Sequence, residues 1–88
     1  MSHRYQIGAN YQIRTVTMIV TGKLIEVGVH ELVLTQAAWV ADTGRYMQAV
    51  ASGDYHEVEP YPPDTEVLVG RGALIDAVII PQLPLVQK

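Results

Sequence analysis

The sequence predicts an all-β fold, and two observations carry that prediction. Residues 11–40 are dominated by β-branched and apolar side chains, contain no proline and are interrupted only by Gly22 and Gly28. Two further apolar runs, 66–69 and 74–80, flank a glycine-containing turn. With 88 residues, the chain is long enough for one domain and one modest core. We therefore expect a single domain over residues 1–88.

The first long stretch is predicted to bend at Gly22. Residues 15–21 continue into residues 23–27 with only this glycine between them. A lone glycine inside a strand marks a sharp bend or a bulge, which a small barrel needs in order to close. Residues 28–30 then form a short reversal into a strand in which Leu32 and Leu34 share one face. The sequence does not show where the first strand begins, because residues 5–7 and 11–13 flank Gly8-Ala9-Asn10 and could form a hairpin.

Residues 42–64 are predicted to be an insertion that carries one short helix. Asp42 or Thr43 can cap the helix, and apolar residues at positions 46, 47 and 50 form a one-sided stripe. Gly53 suits the C-terminal position that requires a positive φ angle. The stretch 54–64 contains three prolines among acidic residues and is predicted to be an exposed loop.

The last two apolar runs are predicted to pair as a β-hairpin and to form an intersubunit sheet. Both faces of this hairpin are largely apolar, whereas a hairpin at the edge of a monomer normally has one polar face. Apolar residues make up 49% of the chain and charged residues only 17%, so apolar surface remains for self-association. The candidate interface residues are Val67, Val69, Val78, Ile79 and Ile80.

Composition excludes several classes of site. The chain has no cysteine, and His3, His30 and His56 lie in three different segments, so we expect no metal centre. Residues 70–72 lack the spacing and the following helix of a phosphate-binding loop, and we expect no cofactor. No apolar run is long enough for a membrane helix or a signal peptide, which predicts a cytoplasmic protein. A net charge of -3 means that any binding of nucleic acid is local.

The Asp-Thr-Gly tripeptide at residues 42–44 matches the catalytic motif of aspartic proteases. Here, however, residues 45–47 continue a helical pattern, and the interval to residues 70–71 is too short to hold a flap. We therefore interpret Asp42 as a helix cap and do not expect an enzyme.

Two patches resemble the Sm-like family. Residues 21–24 (Thr-Gly-Lys-Leu) followed by residues 31–34 (Glu-Leu-Val-Leu) are similar to the first Sm motif, with its glycine at the bend of the second strand. Residues 67–75 (Val-Leu-Val-Gly-Arg-Gly-Ala-Leu-Ile) resemble the second motif, an apolar strand followed by Arg-Gly and an isoleucine. Residues 38–46 resemble small Sm-like proteins of apparent bacteriophage origin, which implies a phage-encoded protein in the host cytoplasm or the virion.

The resemblance implies a strongly bent, five-stranded open barrel of the SH3-like type, with one short helix inserted between its third and fourth strands. It also implies homo-oligomeric rings of about five to seven subunits, of which we favour five, and single-stranded RNA bound near the pore. The carried-over RNA-site residues are His30 for base stacking and Arg71 with Gly72 for the turn. Glu31 stands where the family has a base-reading asparagine. A structural or protein-binding ring of a phage particle or assembly pathway is the alternative.

Overall fold

Residues 4–88 fold into one open sheet of antiparallel strands with a single short helix. A computed structural model describes residues 4–88, and in them the predicted predominance of β structure is confirmed. This described part of the chain contains six strands rather than the five expected. The elements are β1 (Asn10–Thr15), β2 (Ile19–Val27), β3 (Glu31–Asp42), α1 (Tyr46–Ser52), β4 (Glu57–Pro60), β5 (Val67–Gly70), a 3₁₀ turn (Arg71–Ala73) and β6 (Leu74–Ile79).

The long strand β3 organises the sheet. One of its edges pairs with β2, and the other pairs with β5 in its first half and with β4 in its second half. β1 and β2 form a tight hairpin, and the other edge of β1 pairs with β6. No helix within residues 4–88 has the length and apolar character needed to cross a membrane.

The predicted bend at Gly22 is confirmed. The register between β2 and β3 shifts between Thr21 and Lys23, where β3 carries an extra residue and Gln36 adopts a left-handed φ of 51°. The two strands approach so closely that a Cβ atom at Gly22 would lie 2.8 Å from the Cβ of Leu34. Glycine is therefore needed here for space rather than for its backbone angles.

The bulge divides the core into two clusters on opposite faces of β3. Before Gln36, Leu32 and Leu34 share one buried face, as predicted; after it, Ala37 faces that cluster while Ala38 faces the other. The first cluster consists of Tyr11, Ile13, Val20, Leu24, Leu32, Leu34, Ala37 and Val69. The second, beneath α1, consists of Ala38, Val40, Ala49, Tyr55, Val58 and Ile80.

A polar side chain from β1 is buried beside the second cluster. Gln12 is fully buried, and its side-chain amide donates to the Tyr46 hydroxyl at 2.8 Å. The Tyr55 hydroxyl in turn donates to the Gln12 side-chain oxygen at 2.9 Å. Because the amide nitrogen and the amide oxygen each have a hydrogen-bond partner, Gln12 can be buried without leaving these groups unpaired. Its two hydrogen bonds connect β1 to α1 and to the segment before β4.

The prediction that Asp42 or Thr43 caps the helix was wrong. Asp42 is the last residue of β3, and its carboxylate accepts a hydrogen bond from the Gly44 backbone N–H at 2.8 Å. Gly44, at φ 72°, turns the chain before α1 begins, and the N-cap Arg45 makes no side-chain capping bond. The C-terminal prediction is confirmed, because Gly53 has a φ of 75° and its N–H donates to the Ala49 carbonyl.

Two predictions about the second half of the chain were also wrong. The stretch 54–64 is not only a loop, because it contains β4, and Tyr55 and Val58 are buried within it. The last two strands do not form a hairpin with each other: β5 pairs with β3, whereas β6 pairs with β1. The 3₁₀ turn redirects the chain, because the Arg71 N–H donates to the His30 carbonyl and the Ala73 carbonyl accepts from the Val16 N–H.

Candidate functional site

The four residues predicted for an RNA site lie together at one end of the sheet. The turn 28–30 between β2 and β3 meets the 3₁₀ turn through the hydrogen bond from the Arg71 N–H to the His30 carbonyl, 2.9 Å long. Glu31, the first residue of β3, is paired with Gly70 of β5. Gly72 follows in the 3₁₀ turn. Strand pairing thus joins two segments that are far apart in the sequence.

The side chain of Arg71 is held in place but remains exposed. Its guanidinium donates to the Gly28 carbonyl at 2.8 Å and lies 5.7 Å from the centre of the Tyr5 ring, within the range of a cation–π contact. Tyr5 also packs edge-on against Tyr11, with 6.1 Å between ring centres. An exposed cation that is fixed from two sides can meet an anionic group at little further cost in side-chain entropy.

Sequence reasoning did not identify Tyr5 as a site residue. It precedes the first strand in a short segment without periodicity, and only its position in space brings it to Arg71. Beside it, a cavity of about 320 Å³ is lined by Arg4, Tyr5, Tyr11 and Ala77. An aromatic ring and two arginines therefore share this end of the molecule with the exposed His30.

Two other basic residues are paired with carboxylates. Arg14 makes a two-point contact with Asp76, with N···O distances of 2.9 and 2.5 Å, and these hydrogen bonds lower the pKa of the Asp76 carboxyl. Lys88 contacts Asp54 at 2.5 Å. The charges of Arg14 and Lys88 are thus already compensated by carboxylates.

The candidate interface residues fall into two groups. Val69 and Ile80 are buried in the chain's own clusters, so their side chains are not open to a second subunit. Val67 and Val78 are half-buried, and Ile79 is 48% exposed. Sequence reasoning missed two other exposed apolar residues on the same strands, Leu68 at 61% and Ile75 at 59%.

A second surface lies at the opposite half of β3. Trp39 on β3 is 42% exposed and belongs to neither core cluster. It lines a cavity of about 630 Å³ together with Met18, Glu59 and segment 60–63. The acidic, proline-containing stretch that the sequence presented as a loop thus forms one wall of a groove.

The histidines do not converge. His30 is exposed in the turn before β3, and His56 packs against Gly44; His3 lies outside the described residues. Within residues 4–88, no three His, Asp or Glu side chains are placed to hold a metal ion.

Comparison with protein-family models, curated proteins and solved structures finds no match for this chain. Its function must therefore be inferred from its own residues and geometry.

Proposed function

We propose that this chain is the subunit of an Sm-like homo-oligomeric ring. The observation that carries the proposal is the pair of open strand edges at β5 and β6. Within residues 4–88, β5 pairs only with β3, and β6 pairs only with β1. An open edge is a template for pairing with another chain unless the protein protects it.

The side chains on these strands favour association. Leu68 on β5 and both Ile75 and Ile79 on β6 are exposed, and neither strand carries a lysine or an internal proline to discourage pairing. The two edges belong to different strands, so a contact between β5 of one subunit and β6 of the next is head-to-tail. Contacts of this kind close into rings when the rotation per subunit permits.

The strand order also supports a small bent barrel. β6, β1, β2, β3 and β5 follow one another by pairing, and the 3₁₀ turn connects the two outer strands. The bulge at Gln36 and the close approach at Gly22 bend the middle of this sheet. β4 and α1 are additions at the far half of β3.

We further propose that the ring binds single-stranded RNA at the cluster formed by His30, Arg71 and Tyr5. A ring brings one copy of the cluster from each subunit to a common radius, which concentrates positive charge on a chain of net negative charge. The exposed imidazole of His30 and the half-buried ring of Tyr5 can stack on bases, and the fixed guanidinium can meet a phosphate. The half-buried Glu31 opposes phosphate at the same place.

Oligomeric mass tests the ring. Native mass spectrometry and light scattering at micromolar concentration should give about five to seven times the chain mass of 9.7 kDa. The double variant Leu68→Lys/Ile79→Lys should be monomeric, because each lysine places a charge at the proposed interface. Met47→Lys is the matched control, since Met47 is 74% exposed on α1. A monomeric parent would refute the ring.

Binding assays test the RNA site separately. The parent should bind labelled oligo-U or oligo-A more tightly than single-stranded DNA, and more weakly at high salt. Arg71→Ala should abolish most of the binding while the oligomer persists, and Glu31→Asn should strengthen it; Arg45→Ala, at an exposed arginine before α1, is the control. If neither the parent nor Glu31→Asn binds any single strand at low salt, the RNA proposal fails and the alternative, a structural or protein-binding ring, is left.

A further inference from the structure

The groove beside Trp39 has the form of a preformed binding surface. Trp39 and Glu59 are directly opposite one another on β3 and β4, so their side chains share one face of the sheet. The Tyr61 N–H donates to the Ala37 carbonyl at 2.8 Å, which fixes the start of the proline-containing wall. Prolines at positions 60, 62 and 63 restrict that wall further. An indole that is 42% exposed in a rigid apolar groove leaves a large apolar surface uncovered.

The charged residue that lines the groove is an acid, Glu59, and further acids lie near it in the sequence. Five of the nine acidic residues lie in the stretch 54–66, which contains no lysine or arginine; they are Asp54, Glu57, Glu59, Asp64 and Glu66. On the other side of Trp39, Glu57 and Glu59 line a smaller cavity of about 160 Å³ with Lys88. The Lys88 ammonium already contacts Asp54. The complementary ligand therefore carries positive charge.

Strand addition is blocked at the neighbouring edge. On the side away from β3, Val58 exchanges both backbone hydrogen bonds with Lys88, at 3.0 and 2.9 Å. A partner in an extended conformation cannot pair with β4 at that point, so it must be recognised through its side chains. A polyproline II segment meets this condition, because it has no internal hydrogen bonds and docks its prolines against aromatic rings.

We propose that this groove binds a basic, proline-rich segment of a partner protein in the polyproline II conformation. Its prolines pack against Trp39 and Tyr61, and an arginine or lysine beside them lies over the indole and pairs with Glu59. No residue of β5 or β6 lines the groove. The groove is therefore separate from the strand edges proposed for ring assembly, and the two proposals can fail independently.

The full chain provides its own reporter, because Trp39 is the only tryptophan. A synthetic proline-rich peptide that contains arginines should change the tryptophan fluorescence in a saturable way. Two matched peptides serve as controls, one with glutamate in place of every arginine and one with glycine in place of every proline. We expect both controls to bind at least about tenfold more weakly than the basic proline-rich peptide.

Variants of the groove test where the peptide binds, and the fluorescence anisotropy of the labelled basic peptide measures the affinity of each variant. Glu59→Gln should weaken binding about tenfold, and Trp39→Ala should remove most of it. Glu66→Gln is the control, an exposed acid of the same stretch that does not line the groove. Circular dichroism checks that each variant is folded, and Glu59→Gln keeps the test decisive if Trp39→Ala unfolds. Equal binding of the arginine and glutamate peptides, or no binding by the parent, would overturn the proposal. The proposal would also be overturned if the groove is occupied by a second copy of this chain. In that case the parent binds no peptide, and Glu59→Gln lowers the oligomeric mass.

Discussion

Removing the hydroxyl of Tyr55 should destabilise the fold by an amount that follows from the buried amide of Gln12. Tyr55→Phe keeps the ring that packs beneath α1 but removes the donor to the Gln12 oxygen. The change costs one hydrogen bond, about 1 kcal/mol, and leaves a fully buried acceptor without that partner, about 1 to 2 kcal/mol more. For a domain of this size, a total of about 2 to 3 kcal/mol corresponds to a fall in Tm of roughly 8 to 24 °C.

A double-mutant cycle separates this effect from a loss of packing. Gln12→Leu alone leaves the Tyr55 hydroxyl buried without its acceptor, whereas Gln12→Leu/Tyr55→Phe replaces both partners with apolar groups. The double variant should therefore be less destabilised than the sum of the single variants, by about 1 to 2 kcal/mol.

Urea denaturation followed by far-UV circular dichroism measures the cycle. One protein concentration must be used throughout, because self-association would couple to unfolding. Tyr61→Phe is the control, since Tyr61 is half-buried and its hydroxyl takes no part in the hydrogen bonds that join Gln12, Tyr46 and Tyr55. Additive free energies, or a Tyr55→Phe variant within about 0.5 kcal/mol of the parent, would refute this account of the buried amide.

Three further outcomes are expected. Burial, and then the neighbouring Tyr46, raises the pKa of Tyr55 to about 12, so the unfolded chain loses this proton at a lower pH than the folded chain does. Urea midpoints should therefore fall as pH rises from about 10 towards 12, and they should fall less in Tyr55→Phe. Gly22→Ala should lower the free energy of unfolding by about 1 to 3 kcal/mol, because its Cβ would meet the buried Leu34, and an unchanged Tm would contradict that reason. Thr21→Val should raise it by about 1 kcal/mol, since the buried Thr21 hydroxyl has no partner among the described residues; a loss of stability in thermal melts would contradict this.

Local patterns in the sequence predicted the parts of the fold that depend on local physics. The lone Gly22 indicated a bend because glycine weakens a strand interior and often marks a place where two backbones approach closely or the strand bends. The alternation around Leu32 and Leu34 gave the buried face of β3, and Gly53 gave the end of α1. Each of these signals lies within a few residues of the feature that it specifies.

The errors arose where partners are distant in the sequence. Two apolar runs around a short turn look like a hairpin. In the structure the turn bonds to His30 and Val16, and β5 and β6 pair with β3 and β1, which are remote in the sequence. β4 was missed because acids and prolines conceal the buried Tyr55 and Val58. For the candidate sites, motif resemblance selected residues that the fold brings together, but it gave no indication of the contact between Arg71 and Tyr5.

The pairing of β1 with β6 has a consequence for biosynthesis. A ribosome releases β1 early and β6 late, so an emerging chain cannot cover that edge of β1 until nearly all of the strands have been made. During this interval the edge presents unpaired backbone groups beside apolar side chains, a surface on which nascent chains can aggregate. Closing so long a loop is also slow compared with forming the hairpin of β1 and β2. The late position of β6 thus prolongs the exposure of the β1 edge during synthesis.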